Sequence, residues 1–114
     1  MDDLQATTVL LKALSHRARL EIASLLRQGE VCVCHLEAHL GYRQPYISQQ
    51  IMVLKKARLV AERREGTYVY YRLDDPRVSA LLDVLAPKAT VPRARARRLR
   101  ACTCPKCSAL KARR

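Results

Sequence analysis

The feature that most restricts the fold is a four-residue interruption, Gly41-Tyr42-Arg43-Gln44, between two short amphipathic segments. Upstream, Val33, Leu36 and Leu40 recur at helical spacing, which predicts a helix from about Val33 to Leu40 with Gly41 as its stop. Downstream, Pro45 suits a first helical position, where its missing N–H has no intrahelical partner to lose. Ile47, Ile51 and Leu54 then repeat at i, i+4 and i+7, with Leu59 extending the stripe. Two short helices joined by a tight Gly-containing turn form a helix-turn-helix. The second helix is expected to present Tyr46, Ser48, Gln49 and Gln50 away from its buried stripe, and hydroxyl and amide groups suit base edges in a major groove.

The flanking sequence supplies a scaffold. Asp2 and Asp3 can cap a first helix along which Leu4, Leu11 and Leu14 recur, and Ser15 offers the next N-cap. Leu20, Ile22, Ala23, Leu25 and Leu26 make the apolar face of a second helix, ended by Gly29. From Val60 the period changes to two. Val60, Glu62 and Arg64 alternate with Ala61 and Arg63, Glu65-Gly66 turns the chain, and Val69, Tyr71 and Leu73 alternate with Tyr68, Tyr70 and Arg72. This is a basic β-hairpin, or wing. Asp75-Pro76 then reads as an N-cap and first-turn proline opening a last helix with Val78, Leu81, Leu82 and Leu85 on one face, closed by Pro87. The expected fold is mainly α with a small β-hairpin, a winged helix-turn-helix of five helices.

At 114 residues the chain holds a single hydrophobic core, and with no Trp or Phe that core is built from Leu, Val, Ile, Ala and a few Tyr, helped by self-association. Residues 1–87 carry 12 Lys and Arg against all 10 acids, so most of the formal charge of +12 lies beyond them. The expected division is a folded DNA-binding and dimerisation domain over 1–87 and a basic, Cys-containing flexible tail over 88–114. Within the domain, 42–72 holds Arg43, Lys55, Lys56, Arg58, Arg63, Arg64 and Arg72 against Glu62 and Glu65, an excess suited to a phosphate backbone as well as to a solvated face. No apolar run approaches the ~18 residues of a membrane span, and the N-terminus lacks the basic-then-apolar order of a signal peptide, so no membrane role and a cytoplasmic location are expected.

In a reducing compartment five Cys are poor material for a disulfide frame. Their clustering, Cys32-Val33-Cys34 and Cys102-Thr103-Cys104-Pro105-Lys106-Cys107, points to metal or redox chemistry. Thiolates are soft ligands that favour Zn, Cu(I), Cd, Pb and, by the same softness, As(III) and Sb(III). Two Cys at i and i+2 near a helix start can converge, and a helix N-terminus favours thiolates. A third sulfur from Cys102, Cys104 or Cys107 completes a trigonal site, and a fourth a tetrahedral one. A flexible segment of about 15 residues spans roughly 20 Å, enough to fold back or to cross to a partner subunit. The plainer readings are a pair of small buried core residues for Cys32 and Cys34, and an incidental cluster or separate zinc knot for the tail trio. His35 and His39, at i and i+4, fit surface or core roles better than ligand roles, and His16 reads as scaffold.

The stretch from Leu10 to Leu85 resembles the ArsR/SmtB family of winged-helix metalloregulators. The resemblance is carried by 11–20 (LKALSHRARL), the Cys-Val-Cys pair, Gln44-Pro45-Tyr46-Ile47-Ser48-Gln49-Gln50-Ile51 with Leu54, and 64–73 (REGTYVYYRL). It implies a homodimeric repressor, paired through its first and last helices, that leaves double-stranded operator DNA when an effector binds. The implied ligands are Cys32 and Cys34 with Cys102, Cys104 and Cys107. The expected DNA-facing set is Gln44, Tyr46, Ser48, Gln49, Gln50, Lys55, Arg63, Arg64 and Tyr68. Two departures stand out. Gln44 occupies a place where relatives often have a better cap such as Ser, and the last helix has no His to join Asp75 and Asp83, which disfavours a zinc site there. With three thiols and no nitrogen-rich site, As(III) or Sb(III) is the simplest effector, followed by Cd, Pb, Zn and Cu(I).

Three rivals share parts of this pattern. A thiol-redox or persulfide sensor uses the same Cys without metal. An enzyme is disfavoured, because Cys104-Pro105-Lys106-Cys107 has dithiol spacing but no surrounding βαβ pattern. A sequence-independent nucleic-acid binder driven by the Arg tail would show a steep salt slope and no preferred operator.

Overall fold

A computed structural model describes residues 2–88, so the expectations for the tail beyond Lys88, its three Cys included, fall outside the described residues. The elements run α1 (Asp3–Leu14), α2 (Arg17–Leu26), β1 (Val31–Cys32), α3 (Val33–Leu40), α4 (Gln44–Lys56), β2 (Val60–Glu65), β3 (Tyr68–Leu73) and α5 (Pro76–Leu85). The five helices and the hairpin are those expected. The short strand β1 was not.

Local chemistry sets the boundaries. Asp2 caps α1, accepting from the Gln5 N–H at 2.7 Å, and Asp75 caps α5, accepting from the Arg77 N–H at 2.9 Å. Ser15 is not the cap of α2. It ends α1, and His16 takes the N-cap position, its Nδ1 accepting from the Ala18 N–H at 3.1 Å, because an imidazole acceptor two residues before an open N–H does the work of a hydroxyl. Gly41 closes α3 with φ of 79°, a left-handed conformation that costs glycine nothing. Gln44 is likewise not a cap but the first residue of α4, placing Pro45 second; Arg43 holds the cap position without a side-chain bond.

The core gathers around α2, α3 and α4. Ile22, Leu36, Ile47, Leu54 and Val78 have no exposed surface, and Ile51 and Leu59 almost none. Each such side chain contributes roughly 1.5–3 kcal/mol on leaving water. Two expected apolar faces are turned differently. On α1 the buried residues are Leu10, Ala13 and Leu14, while Leu4 and Leu11 are exposed; on α5 Val78 and Leu82 are buried, while Val84 and Leu85 are exposed. The outer helices therefore carry more apolar surface than one copy of the chain covers.

The sheet has the order β1-β3-β2, both pairings antiparallel. Glu65 faces Tyr68, so the turn is Gly66-Thr67 rather than Glu65-Gly66, with φ of 61° at Gly66. Beyond the main core, Cys32, Ala38 and Tyr70 form a second, smaller buried cluster, flanked by Cys34 and Tyr68.

Candidate nucleic-acid interface and thiol site

The reading helix is held from two directions. The Tyr42 hydroxyl, in the turn before α4, donates to Glu21 Oε1 on α2 at 2.7 Å, and the Tyr42 ring lies 5.1 Å from that of Tyr46. Hydrogen bonding to Glu21, then burial, raises the Tyr42 pKa above its ordinary value. From the other side Arg19 donates to the Ala13 and Lys12 carbonyls and, through Nη1, to Gln50 Oε1 at 2.9 Å, linking the end of α1 to the middle of α4.

That link corrects one expectation. Buried positions on α4 are Ile47, Gln50, Ile51 and Leu54, at i, i+3, i+4 and i+7, so Gln50 belongs to the inward stripe and its amide is used inside the domain. Gln44, Tyr46 and Gln49 remain on the exposed side, with Ser48 half-buried. On the wing, Arg64 is exposed and Tyr68 is half-buried. Lys55 makes an ion pair with Glu62 at 3.0 Å.

Arg63, exposed on the wing, also has partners within the domain. Its guanidinium donates to both Glu30 oxygens, the shortest distance being 2.7 Å, and to Glu65 at 3.2 Å, and it stacks 4.7 Å from the Tyr70 ring centroid. The two carboxylates raise its pKa further. Both arginines are exposed, and nothing in the Arg63-Arg64 dipeptide marked Arg63 as the one that pairs within the domain; the acidic Glu30 and the two-residue period of β2 were the available signals.

The thiol pair spans the junction of two elements. Cys32 is the last residue of β1 and the N-cap residue of α3, 6% exposed, with no side-chain capping bond. Cys34 is in the first turn of α3, half-buried, and both are thiols rather than a disulfide. Cys32 packs with Ala38 and Tyr70, and Cys34 and Tyr68 lie against that cluster, so the two sulfurs have largely apolar neighbours. Such a donor set fits a thiophilic ion and not a hard one. Among the described residues no group of three or more His, Cys, Asp and Glu is placed to hold a metal. His35 and His39 stack at 4.5 Å between centroids; burial first, and the neighbouring His39 second, lower the His35 pKa to about 4. No helix of the described residues is long and apolar enough to cross a membrane.

Comparison with known proteins places this geometry. Residues 16–62 match the profile of the bacterial regulatory protein, arsR family. The chain is 47% identical over 77 residues to the biofilm growth-associated repressor of Agrobacterium fabrum, a match covering 68% of this chain and 66% of that protein. It is 35% identical over 86 residues to the arsenic resistance transcriptional regulator ArsR1 of Pseudomonas putida, covering 75% and 66%. The match thus spans just under two thirds of the length of these curated relatives. Among solved structures, reduced HlyU of Vibrio cholerae superposes with a TM-score of 0.71 at 32% identity, covering 75% of this chain and 90% of that one. A homodimeric winged helix-turn-helix DNA-binding domain from Mycobacterium bovis superposes at 0.67 and 34% identity, covering 77% and 89%.

Proposed function

The chain belongs to the ArsR family of winged-helix transcriptional regulators, and from that membership we propose that it is a homodimeric repressor. In this reading, operator DNA is released when Cys32 and Cys34 take up a thiophilic ion, As(III) or Sb(III) foremost. A regulator of this kind acts on DNA in the cytoplasm and performs no catalysis.

The observation that carries the reading is the place of the thiols. They sit where β1 passes into α3, so one short segment touches both the wing sheet and the helix that precedes the reading helix. Strain at that junction has two direct routes to the DNA-facing elements. The likeness to a protein named as an arsenic resistance regulator supports a metalloid. Cys102, Cys104 and Cys107, in the basic tail assigned to 88–114, are the proposed further donors. Gln44, Tyr46, Ser48 and Gln49 are the proposed base-edge readers, with Lys55, Arg64 and Tyr68 toward the backbone. The exposed Leu4, Leu11, Val84 and Leu85 supply apolar surface for pairing through the outer helices.

Each thiol that joins a ligand gives up its proton, and the segment that carries it moves toward the remaining donors. Two half-sites about one DNA turn apart tolerate little change in the spacing of the reading helices. A coupling of ~1–3 kcal/mol lowers operator affinity 5- to 150-fold.

A second reading, thiol-redox or persulfide sensing by the same Cys, is supported by the likeness to a solved protein described in its reduced form, HlyU of Vibrio cholerae. One titration separates the two. An operator fragment is followed by gel shift against As(III), Sb(III), Cd(II), Pb(II), Zn(II) and Cu(I), with oxidant and persulfide arms, for the unaltered chain, Cys32→Ser and Cys34→Ser. Release by an ion, lost in both variants with DNA binding retained, is expected. Equal grip by loaded and unloaded protein refutes ion sensing.

A further inference from the structure

Cys32, Tyr70 and Arg63 form one rung across the sheet. Tyr70 on β3 is the register partner of Cys32 on β1 and of Arg63 on β2. Residues directly opposite one another in antiparallel strands carry their side chains on the same face, about 4.5–5.5 Å apart at Cβ. The side-chain contacts agree with the register, since Cys32 packs in the cluster of the fully buried Tyr70, and the Arg63 guanidinium lies 4.7 Å from the Tyr70 ring centroid. Glu30, two residues before Cys32, closes the rung into a loop through its 2.7 Å bond with Arg63. The outer wing strand β2 is thus tied by one guanidinium to the segment that bears the thiols, beside the backbone pairing of β3 with β1.

We propose that Arg63 is a positioning residue rather than a phosphate contact. Together with Glu30 it couples the thiol pair to the wing, making the wing a second output of the sensor beside the reading helix. The inference rests on the reading of Cys32 and Cys34 as the effector site. Formation of each S–As bond from arsenous acid releases one hydroxide and one thiol proton as water, and puts new volume where the Cys32 sulfur packs on the Tyr70 cluster. A close-packed interior has no spare space for it, so Tyr70 or β1 shifts. The Arg63 stack needs Tyr70 in place and the Glu30 bond needs the approach to β1 in place, so either movement loosens the tie. With that tie gone, β2 is left to its pairing with β3 and the Lys55–Glu62 ion pair, and Arg64 at its outer end is held less firmly relative to α4.

The test uses the full chain, arsenite as probe, and the variants Glu30→Gln and Arg63→Gln. Three quantities are measured: operator affinity and its salt slope without arsenite, arsenite affinity without DNA, and the loss of operator affinity on loading. The salt slope is expected to be unchanged and arsenite affinity to stay within about threefold of the unaltered chain, while operator affinity without arsenite falls at least about fivefold in both variants because the tie is already cut. The loss on loading is expected to shrink by a similar factor, which a general destabilisation that leaves the thiols coupled to the wing does not produce. Amide exchange over 60–73 is expected to rise with arsenite in the DNA-free unaltered chain and to be already raised in both variants. If the unaltered chain is released and both variants are released equally, the coupling role is overturned while the thiol reading stands. A salt slope smaller by about one in Arg63→Gln also overturns it, by making Arg63 a phosphate contact. If arsenite leaves the unaltered chain bound, the thiol reading itself fails, and this inference with it.

Discussion

Removing a single oxygen from the turn of the helix-turn-helix tests how the reading helix is held. Tyr42→Phe keeps the ring that stacks at 5.1 Å on Tyr46 and deletes only the hydroxyl that donates to Glu21 at 2.7 Å. A hydrogen bond to a charged acceptor has a net value of about 1.5–3 kcal/mol. The low end applies, because Glu21 is not stranded by the loss: its side chain is 21% exposed and keeps Arg17 at 3.4 Å. The expected destabilisation is about 1–1.5 kcal/mol, or roughly 5–10 °C in Tm for a domain of this size. The sign of the pH dependence is a sharper test. The folded-state pKa of Tyr42 lies above its ordinary value of 10.0, so the bond's contribution is complete below pH 10 and is lost as pH rises through the folded pKa. Urea denaturation at pH 7.5 and at about pH 11 then gives a gap between the two proteins that narrows with alkali. Equal stability at pH 7.5, or a gap that does not narrow, refutes the anchoring role.

Two backbone substitutions at helix ends are expected to act in opposite directions. Gly41→Ala puts a Cβ where no atom lies within 4 Å but φ is 79°, so urea unfolding is expected to show a loss of about 1–2 kcal/mol from backbone strain alone. Arg58 has φ of 62° after the C-cap of α4, and Arg58→Gly is expected to raise the urea midpoint by relieving a similar strain. Asp75→Ala removes the cap of α5 at a cost of about 1 kcal/mol by thermal unfolding. Because Arg77 first, and the capping bond to its N–H, hold the Asp75 carboxyl below 3.8 despite some burial, that contribution is lost only as pH falls through the lowered value. His35, with a folded pKa of about 4 against 6.5 unfolded, contributes fully above pH 6.5 and progressively less down to pH 4; the stability of His35→Gln is expected to fall less steeply over that window.

The helices were legible because each is specified by its own residues. The Gly41 stop, the Asp75-Pro76 start and the inward spacing of Ile47, Ile51 and Leu54 all appear where the pattern put them. What was not legible depended on residues far apart in the chain. β1 is two residues long and exists because Val31 and Cys32 meet Tyr71 and Tyr70, some 40 positions later, a pairing that no local periodicity announces. The exposure of Leu11 and Leu85 has the same origin. Helical spacing marks an apolar face, but not whether the same chain or a second copy covers it.

The candidate site divides along the same line. That Cys32 and Cys34 sit at the start of α3 followed from local pattern, and so did the composition of α4. Which polar groups on α4 and the wing are tied within the domain did not, because Gln50 and Arg63 are types that suit DNA and are also types that bond to other side chains. Arg19 decides the matter for Gln50, 31 positions away, and Glu30 decides it for Arg63, 33 positions away. Both bonds make the residue a tie between elements. The same two exchanges narrow the proposed base-reading surface to Gln44, Tyr46, Ser48 and Gln49. An operator preference set by four side chains per subunit covers a short half-site, so discrimination between operators then depends on holding two such half-sites at a fixed spacing. On the proposed function, that spacing is the quantity that ion binding at the thiol junction disturbs.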